Sequence, residues 1–279
     1  MKRARLNLGL LAVAIGLGVA VYVAQQNKPA GPPLTAFKPD AVTHIAIEHP
    51  GAPAIRLEKQ NGRWQLVAPV IAEADEFEIN GLLALADRET KRKLEGGALK
   101  ELSLDPPQFT LKLNDSVIDF GGVEPLEYHR YVKAGDGVYL IEDPPGSAMD
   151  QEYADLVSKN LLPPGVGIER IELPKLTLAK SSDGRWTVTP ADPQASADAM
   201  QKLADGWNNA RSMWNEVTKD APAGGERVKV TLAGGVSREF VVAAREPQLK
   251  LHRPDLGVTF VVSKALADEL LRLPEPKTP

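Results

Sequence analysis

No cysteine occurs in the 279 residues, which removes disulfides, thiolate nucleophiles, thiolate metal sites and a lipid-modified N-terminal cysteine from consideration. Histidine is nearly as scarce. His44, His49, His129 and His252 are the only four. The spacing of five between His44 and His49 suits neither a helical metal pair nor one face of a strand. Excess positive charge is also missing: 33 basic against 37 acidic residues give a formal net charge of -4, without the basic footprint that nucleic acid requires. Neither a Gly-x-Ser-x-Gly elbow nor a His-Glu-x-x-His pair is present. Gly121-Gly122 is followed by no Gly-Lys-Ser/Thr, so it reads as a turn and not as a phosphate loop. The sequence therefore offers no catalytic, cofactor-binding or metal residues. Disorder throughout is excluded as well, because 43% of the chain is hydrophobic and 25% charged.

What is present is organisation. Lys2, Arg3 and Arg5 precede an apolar run from Leu6 to Ala24. At about 1.5 Å per residue that run approaches the roughly 30 Å hydrocarbon core. Residues 1–27 read as an uncleaved transmembrane anchor through residues 6–24, with the N-terminus cytoplasmic by the positive-inside rule and the bulk of the chain periplasmic at the bacterial inner membrane. A cleaved signal peptide is the rival reading, but a cut after Ala20 leaves apolar Val21 to Ala24 on the mature end. The proline-rich stretch 28–40 reads as a semi-extended linker.

From there the chain is written twice. Asn61-Gly62-Arg63-Trp64 returns as Asp183-Gly184-Arg185-Trp186, each preceded by alternating apolar residues and followed by a proline, an aspartate (Asp75, Asp198) and a helical pattern. The tryptophans stand 122 positions apart (186 less 64) and the aspartates 123 (198 less 75), a register that chance similarity would not keep. The expectation is an α+β fold of two tandem repeats behind one transmembrane helix, 41–160 and 161–279, each of antiparallel hairpins with a long and a short helix. In the first repeat the hairpins run Ile55 to Ala68, Phe109 to Gly121 and Tyr131 to Ile141, with Trp64, like Trp186 in the second repeat, expected as a buried anchor. Asp75 caps a helix carrying Ile79, Leu82, Leu83 and Ala86. In the second, Met200, Leu203, Trp207, Ala210 and Trp214 form one continuous helical stripe, and Ser263 caps a closing helix. Arg88 to Lys93 reads as a solvated helix end.

The order of hairpin closing on Gly-x-Trp, proline, Ala74-Asp75 helix, Leu104-Asp105-Pro106-Pro107 and Tyr131 to Ile141 resembles a bacterial domain-of-unknown-function family numbered four-three-four-zero. The resemblance implies membrane-anchored extracytoplasmic proteins, some of them similar to auxiliary components of gliding-motility-type ABC transporters. It supplies no catalytic residues. The second repeat departs from the pattern, since Leu251-His252 stands in place of Tyr131-Val132.

Together these readings describe a non-enzymatic accessory or scaffold of an ABC-type transport or envelope-assembly system, whose partner is a membrane protein. The alternative is a module binding glycan, lipid or peptidoglycan through the cleft between repeats and the aromatics Tyr128 and Tyr131. A hydrolase using Asp75 and Glu78 ranks third, because acids in a first helical turn are already favoured by the helix dipole.

Overall fold

The computed structural model describes residues 13–20, 31–144, 151–193, 195–220 and 222–274. Alternating apolar residues place β1 (His44–Glu48), β2 (Ile55–Gln60), β3 (Arg63–Ala68) and β4 (Ala72–Glu73) side by side. After helix α1 (Glu76–Leu83), β5 (Arg92–Leu94) is followed by β6 (Phe109–Leu113), β7 (Ser116–Val123), β8 (His129–Ala134) and β9 (Gly137–Glu142). They form one nine-stranded antiparallel sheet in the order β4-β3-β2-β1-β6-β7-β8-β9-β5. The chain thus leaves one edge at β4, passes through α1 and completes the opposite edge with β5.

A four-residue helix, α2 (Tyr153–Leu156), leads to the second sheet. Its members are β10 (Ile168–Glu172), β11 (Thr177–Lys180), β12 (Trp186–Thr189), β13 (Trp214–Val217), β14 (Glu226–Leu232), β15 (Ser237–Ala244), β16 (Leu249–Arg253) and β17 (Val258–Val262). Helix α3 (Ala197–Asn209) precedes β13 and helix α4 (Lys264–Leu271) follows β17. The order β12-β11-β10-β14-β15-β16-β17-β13 repeats that of the first sheet, without a counterpart of β4.

The cores follow from the period-two pattern. In the first, Ile45, Ile47, Leu57, Leu66, Phe109, Leu111 and Phe120 are buried against Ile79, Leu82 and Leu83 of α1, with the Phe109 and Phe120 rings stacked at 4.2 Å. In the second, Trp207 of α3 is fully buried against Phe240, its ring 5.4 Å away, and its indole N–H donates to the Leu270 carbonyl at 2.8 Å. That bond satisfies the only polar atom the large ring carries into the core.

Several expectations are corrected. The α+β class with a transmembrane helix is corrected: among the described residues the protein is mostly antiparallel β, 17 strands in two sheets, with few and short helices. Among the described residues no helix is long and apolar enough to cross a membrane. The helical stretch at residues 13–20 would span about 12 Å at the helical rise, and the rest of the 6–24 run lies outside the described residues. Periodicity missed β5 and β13, edge strands too short to show alternation. Arg92 and Lys93, taken as a solvated helix end, belong to β5. The helical stripe stops early: α3 ends at Asn209, and Trp214 opens β13 with 39% of its surface exposed. Gly121-Gly122 lies inside β7, not in a turn. Residues 31–35, read as tether, run antiparallel to 86–90, with Leu34 and Thr35 buried and their amides bonded to the Arg88 and Ala86 carbonyls.

The repeated turn also differs between copies. Gln60 and Arg63 pair across a two-residue turn in which Asn61 and Gly62 both have positive φ (51° and 82°), as a type I′ hairpin demands. Lys180 pairs directly with Trp186, so five residues close the second hairpin, bound by Ser181 N–H to the Arg185 carbonyl. Trp64 is buried, whereas Trp186 is half-buried with its indole N–H donating to Gln201.

Candidate functional site

The seam between the sheets gathers the titratable groups that the sequence marked. Residues 156–161, from the last residue of α2 onward, run between the two units and bond to both, with isolated bridges from Val157 to Ala74 and from Asn160 to Arg211. On one side Asp75 N–H donates to the Leu156 carbonyl and Ser158 N–H to the Glu73 carbonyl, each at 2.8 Å. On the other, Leu161 N–H donates to the Ala210 carbonyl at 3.0 Å and Ser212 N–H to the Lys159 carbonyl at 2.8 Å. Asn215, 5% exposed, donates from Nδ2 to the carbonyls of Ala154 and Val157 and accepts from Ser212 Oγ at 2.6 Å. The Tyr153 hydroxyl reaches the Leu256 and Gly257 carbonyls; burial and the neighbouring Glu152 raise its pKa above the usual 10.0.

Asp75 sits at the centre. It is 5% exposed and caps α1 by accepting from Phe77 N–H (3.1 Å) and Glu78 N–H (3.4 Å) through Oδ1. Its other oxygen, Oδ2, accepts from Lys159 N–H and lies 3.8 Å from the Arg211 guanidinium, while Lys159 Nζ stands 4.0 Å from Oδ1. Glu78, one turn further, accepts from Lys159 Nζ at 2.8 Å and Gln151 Nε2 at 3.0 Å. Four of these partners (Gln151, Lys159, Arg211 and the Leu156 carbonyl) come from beyond the first sheet. Asp155 lies close by, and its pKa is raised chiefly by burial, although the Glu152 backbone N–H that it accepts and Lys159 pull the other way.

An open cleft of about 510 Å³ lies over this seam. Arg63, Trp64, Phe77, Asn160, Pro164 and Arg211 are among its walls. Phe77 is 80% exposed there despite being aromatic.

Asp75 and Glu78 are thus brought together with two cations, as a structural joint. Asp198, aligned with Asp75 by sequence, is not its counterpart: Ser196 caps α3, and Asp198 is exposed and paired with Lys202. Tyr128 is 73% exposed and Tyr131 half-buried, but neither lines the cleft. His44, His49 and His252 remain scattered, on β1, after β1 and on β16.

His129 is different, because it lies beside Glu124 and Glu127. The spacing Glu124-x-x-Glu127-x-His129 was visible in the sequence, and only the β7–β8 hairpin reveals that it closes on itself.

A family model described as Domain of unknown function (DUF4340) matches residues 64–221, which take in Asp75, Glu78, Lys159 and Arg211, and the chain belongs to that family. No curated protein and no solved structure matches the chain.

Proposed function

From membership of the DUF4340 family, whose matched region encloses the seam, we propose that the chain acts by binding and bracing and not by catalysis. The supporting observation is the commitment of its two best-placed acids. Both Asp75 oxygens and both Glu78 oxygens are engaged by backbone N–H groups, Lys159 or Gln151. A general acid or base must exchange a proton with a substrate within hydrogen-bond reach. These carboxylates instead hold the two sheets in one relative geometry. What they leave exposed is an amphipathic cleft with Phe77 on its lip and Arg63 and Arg211 beside it. An aromatic residue flanked by arginines is the composition of protein-contact hot spots.

In its fuller form the partner is a membrane-embedded ABC-type transport or envelope-assembly complex, met on the periplasmic side. The family resemblance supports this, together with the basic residues Lys2, Arg3 and Arg5 at the start of the chain. The test is site-specific photocrosslinking in cells. A photoreactive residue at position 77 should capture a reproducible membrane-protein partner that one at exposed Val236, in the turn between β14 and β15, does not. Equal capture from both positions, or no membrane protein from either, would overturn the reading.

A further inference from the structure

The β7–β8 hairpin carries a second cluster that the seam does not use. Glu124 and His129 face each other across its base, where Glu124 N–H donates to the His129 carbonyl at 2.8 Å. The intervening loop turns back through Tyr128, whose φ is +57°. The turn brings Glu127 over the same imidazole. His129 Nδ1 then lies 3.4 Å from Glu124 Oε1 and 3.3 Å from Glu127 Oε2.

Two observations set this apart from an ordinary ion pair. His129 Nδ1 is buried and makes no hydrogen bond, although a carboxylate oxygen stands on either side of it. The Glu124 side chain is only 8% exposed, and among the described residues no hydrogen-bond donor reaches its carboxylate; Arg92 approaches no closer than 3.6 Å. Buried polar groups are nearly always satisfied, so an unbonded, buried Nδ1 standing between two carboxylates points to a ligand that all three could share. The distances identify it. Ligand atoms at about 2.0–2.2 Å around a tetrahedral Zn²⁺ stand about 3.3–3.5 Å apart, and the nitrogen-to-oxygen separations here are 3.3 and 3.4 Å. All three donor atoms lie within 4.8 Å of one another.

We propose that Glu124, Glu127 and His129 form a binding site for a divalent transition-metal cation of the Zn²⁺ type. One imidazole and two carboxylates suit such an ion. Arg92, on the far side of Glu124, is placed to orient that carboxylate, as outer partners of metal ligands do. The fourth position faces solvent beside Glu127, which is 68% exposed, and is free for water or a ligand atom. The second sheet supplies an internal contrast. Its matching β15–β16 loop holds Arg245 and Glu246, which pair with Glu226 and Lys264, so the hairpin architecture does not itself demand an acid-rich, histidine-containing turn.

The experiment is titration of the purified full-length chain with Co²⁺, whose visible absorption reports its coordination, followed by displacement with Zn²⁺. One Co²⁺ per chain, displaced by Zn²⁺, is expected. Glu127→Gln and His129→Gln should each weaken uptake by about tenfold or more, while His44→Gln leaves it unchanged. Circular dichroism checks folding. Glu127 is exposed enough that its variant remains informative if His129→Gln is unstable. Absence of stoichiometric uptake, or uptake that Glu127→Gln leaves intact, would overturn the site.

Discussion

Replacing Asp75 separates the two things this residue does. In Asp75→Ala, the N–H groups of Phe77, Glu78 and Lys159 lose their acceptor in a position only 5% exposed. Loss of an N-cap costs about 1 kcal/mol and at most about 2. Donors left unsatisfied in a buried position add about 1–3 kcal/mol, part of which the cap figure already contains. The ionic component is smaller. Lys159 keeps Glu78 at 2.8 Å, and Arg211 is 61% exposed, so water screens what it loses. The expected cost is about 2–4 kcal/mol. Asp75→Asn should cost less, about 1–2 kcal/mol, because asparagine caps as well as aspartate through its one carbonyl oxygen, while the acceptor for Lys159 N–H and the charge are lost. Asp198→Ala, the change at the sequence-aligned position, removes only an exposed i,i+4 pair with Lys202 and should cost less than about 0.5 kcal/mol.

Urea unfolding of the three variants, compared at constant slope, measures this ordering. Equal losses in Asp75→Asn and Asp75→Ala would show that the charge and the bond to Lys159 N–H, not the cap, hold the seam. An Asp75→Ala variant within about 0.5 kcal/mol of the parent would remove the brace altogether, and with it the main support for the binding reading.

Two further outcomes follow from packing and burial. A Cβ at Gly121 would stand 2.3 Å from the Leu102 carbonyl and 2.9 Å from Leu104 Cγ, whereas at Gly122 nothing lies nearer than 3.5 Å; Gly121→Ala should therefore lose about 1–3 kcal/mol in urea melts and Gly122→Ala much less. His252 is 1% exposed and its pKa is depressed below 6.5 by burial, with Asp255 opposing. The unfolded chain then binds the extra proton first, so stability should fall as pH drops below about 6.5, and His252→Gln should flatten that part of the stability profile; parallel profiles would refute the assignment.

Legibility from sequence tracked how local the determining physics was. The hairpins of β2–β3, β6–β7 and β8–β9 are readable because alternation and an Asn-Gly, Asn-Asp or Gly-containing turn lie within a dozen residues. The edge strands β5 and β13 are not, since three or four residues gain strand character only by pairing with β9 and β17. That omission made the fold look more helical than it is. The spacing of Trp214 from Trp207 fits a helix, yet the chain leaves the helix at Ala210, whose carbonyl accepts from Leu161 N–H. The same limit applied to function. Asp75 was legible as a cap, because Phe77 and Glu78 are its neighbours in sequence. Its second role depends on Lys159 and Arg211, more than eighty residues away, and no local pattern announces them. For Glu124, Glu127 and His129 the residues were adjacent all along, and the deciding facts were burial and the positive φ at Tyr128. Scattered histidines count against a metal site only while scatter is measured along the chain, and His129, folded against its own two glutamates, offers a donor set that the three dispersed histidines do not.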